Sequence, residues 1–502
     1  MIQGTHEDFR TEFPPCPTLD EQTAAVCFTG LENYPSNPPF HPPEPFPEYT
    51  GRHVDPSNQV YFHLRKTLLS LGLDSSNIGT KRWNPFGSFI EPGMTVFIKP
   101  NLVQQCHSCG KSVFSIVVHA SVLRPILDYV CIALDGRGRI IIGDSQVADA
   151  RFEDVLTVSH LRALLEWYGS ESAIPIECFD LRAKRRCRSW LYGRWKWIDQ
   201  AYDPRGYTYV DLSTISMFHG LDPKRLRIAI ASHNDMFKHH SNGHHRYCFP
   251  NSFLQSDAVI SVAKLKTHRR TGVTLALKNF MGLPALKESL PHFITGAPGD
   301  GGDQYEHPSR RKRICTRLHD RIQSCKFVPE KFALALLKRA IWETNLLVPF
   351  KDPIYEGMWH GNDTLWRTLL DLNRVALYAD KEGRIAATPQ RNLFCIIDGI
   401  IGGEGNGPLS PDPVAAGVLI AGANPVTTDA VASALMGFDV EKIPLIRHAL
   451  EQKDHVCPFF RGSREGIRIV NGERTLTLQE FASERKYSFE PHPNWKGQIE
   501  LE

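Results

Sequence analysis

The sequence predicts an α/β protein: a largely parallel sheet with helices on both faces, a helical insertion and an extended proline-rich N-terminal arm. Three observations predict it. Short runs of Val, Ile and Leu recur along the chain, each of strand length and each ending in polar or glycine-bearing residues. Segments of helical periodicity lie between some of them. The runs show no apolar-polar alternation, which marks strands buried on both faces.

Taken in order, residues 1–50 read as an arm draped over the core. Pro35, Pro38, Pro39, Pro42, Pro43, Pro45 and Pro47 forbid a helix or central strand there. The spacing of Phe62, Leu64, Leu68, Leu69 and Leu71 predicts a helix over 61–73. Strands are expected at 94–98, before Lys99-Pro100-Asn101, and at 140–142, before Gly143-Asp144-Ser145. Between them Val122, Leu123, Ile126, Leu127 and Val130 give 120–133 a helical face. Further strands are expected at 226–231, 258–262, 394–397 and 418–420. After Pro425, Thr427 or Thr428 can cap a helix running to Met436, and Gly437 can end it. The core is then 51–284 with 391–450. Residues 285–390 are an insertion over the strand ends, and 451–502 a C-terminal extension.

A chain of 502 residues can bury a large core. Its hydrophobic content of 42% and charged content of 23% are ordinary for a globular protein. A net charge of +3 does not point to nucleic acid. The basic run Arg310-Arg311-Lys312-Arg313 has no aromatic platform beside it and reads as a solvated helix start. No apolar run approaches the roughly 20 residues needed to span a bilayer. The first eight residues lack the pattern of a signal peptide. Twelve cysteines without framework spacing fit a reducing cytoplasm.

The segment 257–282 is the most informative. An apolar, β-branched run gives way to Lys264, Lys266, Thr267 and His268, then to Thr271, Gly272, Thr274, Lys278 and Asn279. Open α/β sheets place ligand groups at the carboxyl ends of their strands. Cations there attract phosphate or carboxylate, and one desolvated lysine can become a base or an amine nucleophile. Surface charge flanking a strand is the plainer alternative. The segment 398–408 carries five glycines with Asp398, Glu404 and Asn406. The two acids can ligate a hard cation or move protons, or can be solvated acids on a structural turn. It is not a dinucleotide fingerprint, and no Walker-type lysine and serine follow.

Weaker signals surround these. Lys99, Asn101, Asp144 and Ser145 follow strands, although Asp144-Ser145 can simply cap a helix. Asp429 in a first helical turn serves a helix dipole as well as a ligand. On a helix, Asp363, Arg367, Asp371 and Arg374 share one face, as an exposed ion-pair ladder or one turned to a pocket beside Trp359 and Trp366. His233, His239, His240, His244 and His245 cluster, but no cysteine or carboxylate completes a metal set. Cys106 and Cys109 form a single CxxC, and no four-cysteine iron–sulfur run exists.

Together these pieces resemble the domain-of-unknown-function 362 family. The resemblance rests on 97–103, 143–145, 257–282 and 398–408, with 424–437, and runs from about residue 95 to 450. The segments 290–292, 301–303 and 359–374 resemble a longer branch of that family, whose members sit near bacterial surface-polysaccharide genes. The resemblance implies a cytoplasmic α/β protein without an established general activity. Many relatives carry a ferredoxin-like module, and this sequence lacks its cysteines.

The leading expectation is an enzyme acting on a small anionic metabolite. Lys99, Lys264, Lys266 and Lys278 bind the anion, with Asn101, Asp144, Ser145, Thr267, Thr271, Thr274, Asn279 and Asn406 around it. His268 is the acid or base, since it titrates near neutrality without a large shift, and Lys266 is catalytic beside it. Asp398 and Glu404 hold a divalent cation or a second proton-transfer role. The Asp303 loop and the helix bearing Asp363, Arg367, Asp371 and Arg374 close over the ligand. Two other classes stand beside this one: a non-catalytic binding or assembly protein of polysaccharide biosynthesis, and a metal- or redox-cofactor protein.

Overall fold

The computed structural model describes residues 20–49, 51, 53–188, 195–200, 202–346, 354–452, 456–484 and 486–502. The expectations for residues 1–19, and for 347–353 of the insertion, lie outside the described residues.

The central sheet follows a path of nine strands: β1 Thr23–Phe28, β2 Thr95–Pro100, β3 Arg139–Asp144, β4 Ile176–Asp180, β5 Ala258–His268, β6 Asn392–Glu404, β7 Val418–Gly422, β8 Arg468–Asn471 and β9 Arg474–Thr477. Their spatial order is β9-β8-β1-β7-β6-β5-β2-β3-β4. The run β6-β5-β2-β3-β4 is parallel throughout. β7 lies antiparallel to both β6 and β1, β1 is parallel to β8, and β9 is antiparallel to β8. The fold is thus an α/β protein with a large mixed, mostly parallel sheet.

Side chains alternate between two apolar layers, which is why the strand sequences show no polar phase. Val96 and Ile98 of β2 face helices α1 Gln59–Ser70 and α2 Ala120–Leu134, whereas Phe97 packs on the opposite side with Leu372 and Val375. The five apolar positions expected on α2 are all fully buried. Burying a side chain of this size stabilises by about 1.5–3 kcal/mol, so the α2 face is a large share of that layer. The opposite face carries α3 Leu275–Asn279, α6 Leu365–Tyr378 and α7 Pro425–Leu435. Helices α4 Arg310–Ser324 and α5 Val328–Leu346 pack against each other as a hairpin within the insertion.

Several expectations are corrected. Residues 23–28 of the arm are an integral strand between β7 and β8; the prolines that forbid a central strand all come after it. Residues 226–231 yield only the two-residue strand Leu226–Arg227, which pairs with Phe293–Ile294 outside the main sheet. The helix after Pro425 is capped by Asn424, which accepts from the Val426 N–H, and not by Thr427 or Thr428. β5 does not stop at its lysines but continues through His268. Its pairing with β6 shifts register between Lys264 and Lys266, opposite Asp398 and Gly403.

Strands β2 and β5 are neighbours, yet the chain leaves β2 toward β3 and leaves β5 toward β6. Loops at their carboxyl ends therefore diverge and open a crevice. In open α/β sheets such a switch point is where ligands bind.

Candidate functional site

At that switch point lies a cavity of about 490 Å³. Lys99 and Asn101 from the end of β2, Asp144 and Ser145 from the end of β3, and Lys266 and His268 from β5 all line it. So do Thr274, Lys278 and Asn279 from the turn into α3. Seven lysines and arginines line the cavity against three acids, Asp144, Asp149 and Glu356, so an anion is the charge it can hold.

One acid is already committed. Asp144 meets the Lys99 Nζ at 2.6 Å and accepts from the Leu102 N–H at 2.9 Å, so it anchors the floor and caps no helix. Gly282 makes this possible: a β-carbon there would sit 2.1 Å from Asp144 Oδ1 and 2.7 Å from Lys99 Nζ. Asn279 donates to the Lys99 carbonyl and to Ser261 Oγ, which ties α3 to both strands. Leu275, at the start of α3, has φ +41°, a costly conformation for a leucine. Asp429 holds it by accepting from the next two N–H groups, of Ala276 and Leu277; this is a structural role, not a ligand contact.

Lys266 differs from Lys264, the other buried lysine of β5. It is 1% exposed, and its Nζ reaches two acceptors, the Ile116 carbonyl at 2.7 Å and Asn101 Oδ1 at 3.3 Å, with no carboxylate. Burial, then the charges of Lys278 and Lys264, hold its pKa well below the usual lysine range. A neutral amine has two N–H donors for those two acceptors and keeps its lone pair free; an ammonium would carry a third N–H without a partner. Lys278 is pushed down to about 8 by burial and by Arg270, Lys99 and Arg269. Lys287 falls to about 7, chiefly by burial, against the opposing pull of Asp144. An anion bound at Lys278 and Lys287 would oppose the downward shifts of those two groups.

His268 does not titrate near neutrality as expected. Burial first, then Lys278, Arg270, Arg269 and Lys266, drive its pKa well below the ordinary value. Its Nδ1 accepts from the N–H groups of Arg270 and Thr271, which can only donate, so the ring proton sits on Nε2. His292 is the opposite tautomer: its Nδ1 donates to the Leu290 carbonyl at 2.8 Å, leaving Nε2 an acceptor. The cavity thus has one neutral imidazole of each kind in its lining.

The remaining expected residues divide. Thr267 and Thr271 are buried beside the site, bonded to the Gly405 and Val273 carbonyls, and do not line it. Lys264 is fully buried on Asp398 and Tyr34, outside the cavity. Asp398 and Glu404 do not form a cation site. They are six residues apart on β6, roughly 20 Å of strand, and Asp398 is saturated by Lys264 and the Tyr34 hydroxyl while Glu404 accepts from the Glu490 N–H. The glycine loop contributes Pro408 and Leu409 to the lining instead, and Asn406 is exposed.

Neither the Asp303 loop nor α6 closes over the cavity. Asp303 is spent on the Ile294 and Asp363 N–H groups and the Thr364 hydroxyl. Asp371 is bound by Ser216, Met217 and Tyr247, with Arg374 3.9 Å away in the core, and Asp363 pairs with Arg367 at the surface. The ladder splits because α6 is buried along most of its length. The histidine cluster also separates: His240 bonds His245 and the Ser289 carbonyl, while His244 meets Asp211. Among the described residues no group of three or more His, Cys, Asp or Glu is placed to hold a metal ion. Cys106 and Cys109 are exposed thiols.

Sequence reasoning missed Lys287, Gln146, Arg269, Arg270, His292 and Glu356, all of which line the cavity. Arg269 and Arg270 follow His268 directly and were open to inclusion. Gln146 gave no signal, yet it is 2% exposed and neither its Oε1 nor its Nε2 has a hydrogen-bond partner.

Comparison with known proteins places residues 216–434 in the family described as domain of unknown function (DUF362). That span holds β5, α3, β6, β7 and most of α7; β2 and β3, with Lys99 and Asp144, lie before it, so the match is narrower than the motifs suggested. No curated protein and no solved structure matches the chain. The chain therefore carries a DUF362 domain, which supplies Lys266, His268 and Lys278 to the cavity.

Proposed function

We propose that this protein is an enzyme acting on a small, multiply charged anion, a phosphorylated or carboxylated metabolite, with Lys266 as its general base. The observation that carries this reading is the buried Lys266 amine, matched to two acceptors and to no carboxylate, in the lining of a cavity rich in cations. Lys278, Lys287 and Arg270 bind the anion, and Gln146 supplies its unpaired amide. The free lone pair of Lys266 takes a proton from the substrate. The Nε2–H of His268 donates to the oxygen on which charge develops, as a neutral donor that costs no proton transfer.

Native mass spectrometry of untagged protein, followed by titration with inorganic phosphate and with di- and tricarboxylates, tests the binding half. A co-purified anionic mass identifies the substrate class, and turnover of that compound tests catalysis. K266M is expected to keep anion binding and to lose turnover by 10²-fold or more, on the order of a general-base contribution. A wild-type cavity that binds none of these anions overturns the reading. A ligand that binds tightly and is recovered unchanged leaves a binding protein in place of an enzyme.

A further inference from the structure

On its outer side, the α4–α5 hairpin exposes an apolar face that no described residue covers. On α5, Lys331, Leu334, Lys338, Ile341 and Trp342 are partly buried on one side of the helix. Val328, Phe332 and Leu336, spaced four residues apart, fall on the opposite side and are 44%, 66% and 52% exposed. Leu337 beside them is 50% exposed, and Phe327 at the hairpin turn 64%. Contiguous exposure of this kind is rare on an unpartnered surface.

The charge around the face is as unusual. Residues 310–346 hold ten lysines and arginines against three acids, a net +7. The whole chain is +3, which leaves 48 basic against 52 acidic residues, or −4, elsewhere. The exposed side of α4 presents Arg310, Arg313 and Arg317 around a 45% exposed Ile314, with Arg321 paired to Glu330 at its end. One helix is thus basic toward solvent and its neighbour apolar. No helix among the described residues is long and apolar enough to cross a membrane, so α5 is not a span.

We infer that the hairpin docks the protein on an anionic lipid surface, lying in the interface with Phe327, Phe332 and Leu336 in the acyl boundary and the α4 arginines at the headgroups. Apolar insertion and attraction to anionic lipid are the two terms that hold interfacial helices, and both are displayed here without a competing acidic patch in the hairpin. The inference does not depend on the proposed activity.

Co-sedimentation of the full chain with vesicles tests it. Binding is expected to phosphatidylcholine vesicles containing about one-third phosphatidylglycerol and not to phosphatidylcholine alone, with loss at high salt. R313E/R317E should weaken partitioning by more than about fivefold, the factor of a single basic residue near such a surface. F332S/L336S should weaken it about tenfold or more. Both variants change exposed positions, so their melting temperatures should match wild type. Absence of binding to the anionic vesicles, or binding unchanged in both variants, overturns the inference. So does a concentration-dependent dimer that F332S/L336S abolishes without any vesicle binding; that result assigns the face to a second copy of the chain.

Discussion

Lys264 donates to Asp398 at 2.9 Å, and neither side chain reaches solvent. Two residues along the same strand, Lys266 has no carboxylate partner. The difference is positional: Lys264 lies opposite Asp398, and the register then shifts to set Gly403 opposite Lys266. Asp398 therefore belongs to stability. Asp398→Ala strands a buried ammonium and should destabilise by about 3–5 kcal/mol in denaturant unfolding, whereas the double replacement K264M/D398L should recover most of that loss. Full stability in D398A would show that the pair is dispensable.

Anion binding should depend on pH with a definite sign. Burial pushes Lys287 down to about 7 and Lys278 down to about 8, so rising pH through that range discharges the groups proposed to meet the anion. Affinity for sulfate, whose charge does not change in this range, should fall as pH climbs from about 7 to 9, steepest where both lysines titrate. Because binding favours the ammonium forms, it also draws protons from solution. Calorimetry near pH 8 in buffers of differing ionisation enthalpy should give different binding heats; identical heats would place the protons elsewhere.

The tautomer of His268 can be read directly. With Nδ1 held by two backbone donors and the pKa driven well below the ordinary histidine value, the ring should remain neutral and Nε2-protonated as pH falls through the range where a free imidazole titrates. Nitrogen-15 NMR of histidine-labelled protein should show one flat pair of ring shifts for it. A midpoint near 6.5 would restore His268 as a titrating acid–base.

Gly282→Ala tests the floor of the cavity. The new methyl would fall on Asp144 Oδ1 and Lys99 Nζ. Overpacking of this kind costs about 1–3 kcal/mol, and forcing the pair apart should also weaken phosphate binding. Unchanged stability and affinity would show that the floor yields freely.

The strand runs and the α2 face were legible because burial on both sides of a sheet demands uninterrupted apolar residues, and that demand is local. Strand β1 was hidden, since six residues beside a proline-rich stretch carry no sign of the partners β7 and β8 that make them a strand. For the site, the cluster Lys266, His268, Lys278 and Asn279 was legible from its strand-end position. Asp398, Glu404 and the α6 ladder were misplaced because residue type and spacing do not say which neighbour a charge meets.

Chain order alone determined the α/β class, the parallel core and the collection of cations at the end of β5, since hydrophobic period and strand-end polarity are properties of short segments. Tertiary structure decided which lysine is paired and which is bare, which imidazole nitrogen carries the proton, and that Gln146 and Lys287 join the site. Those outcomes turn on desolvation and on distances of a few ångströms between residues far apart in sequence, and both exist only once the strands have found their register.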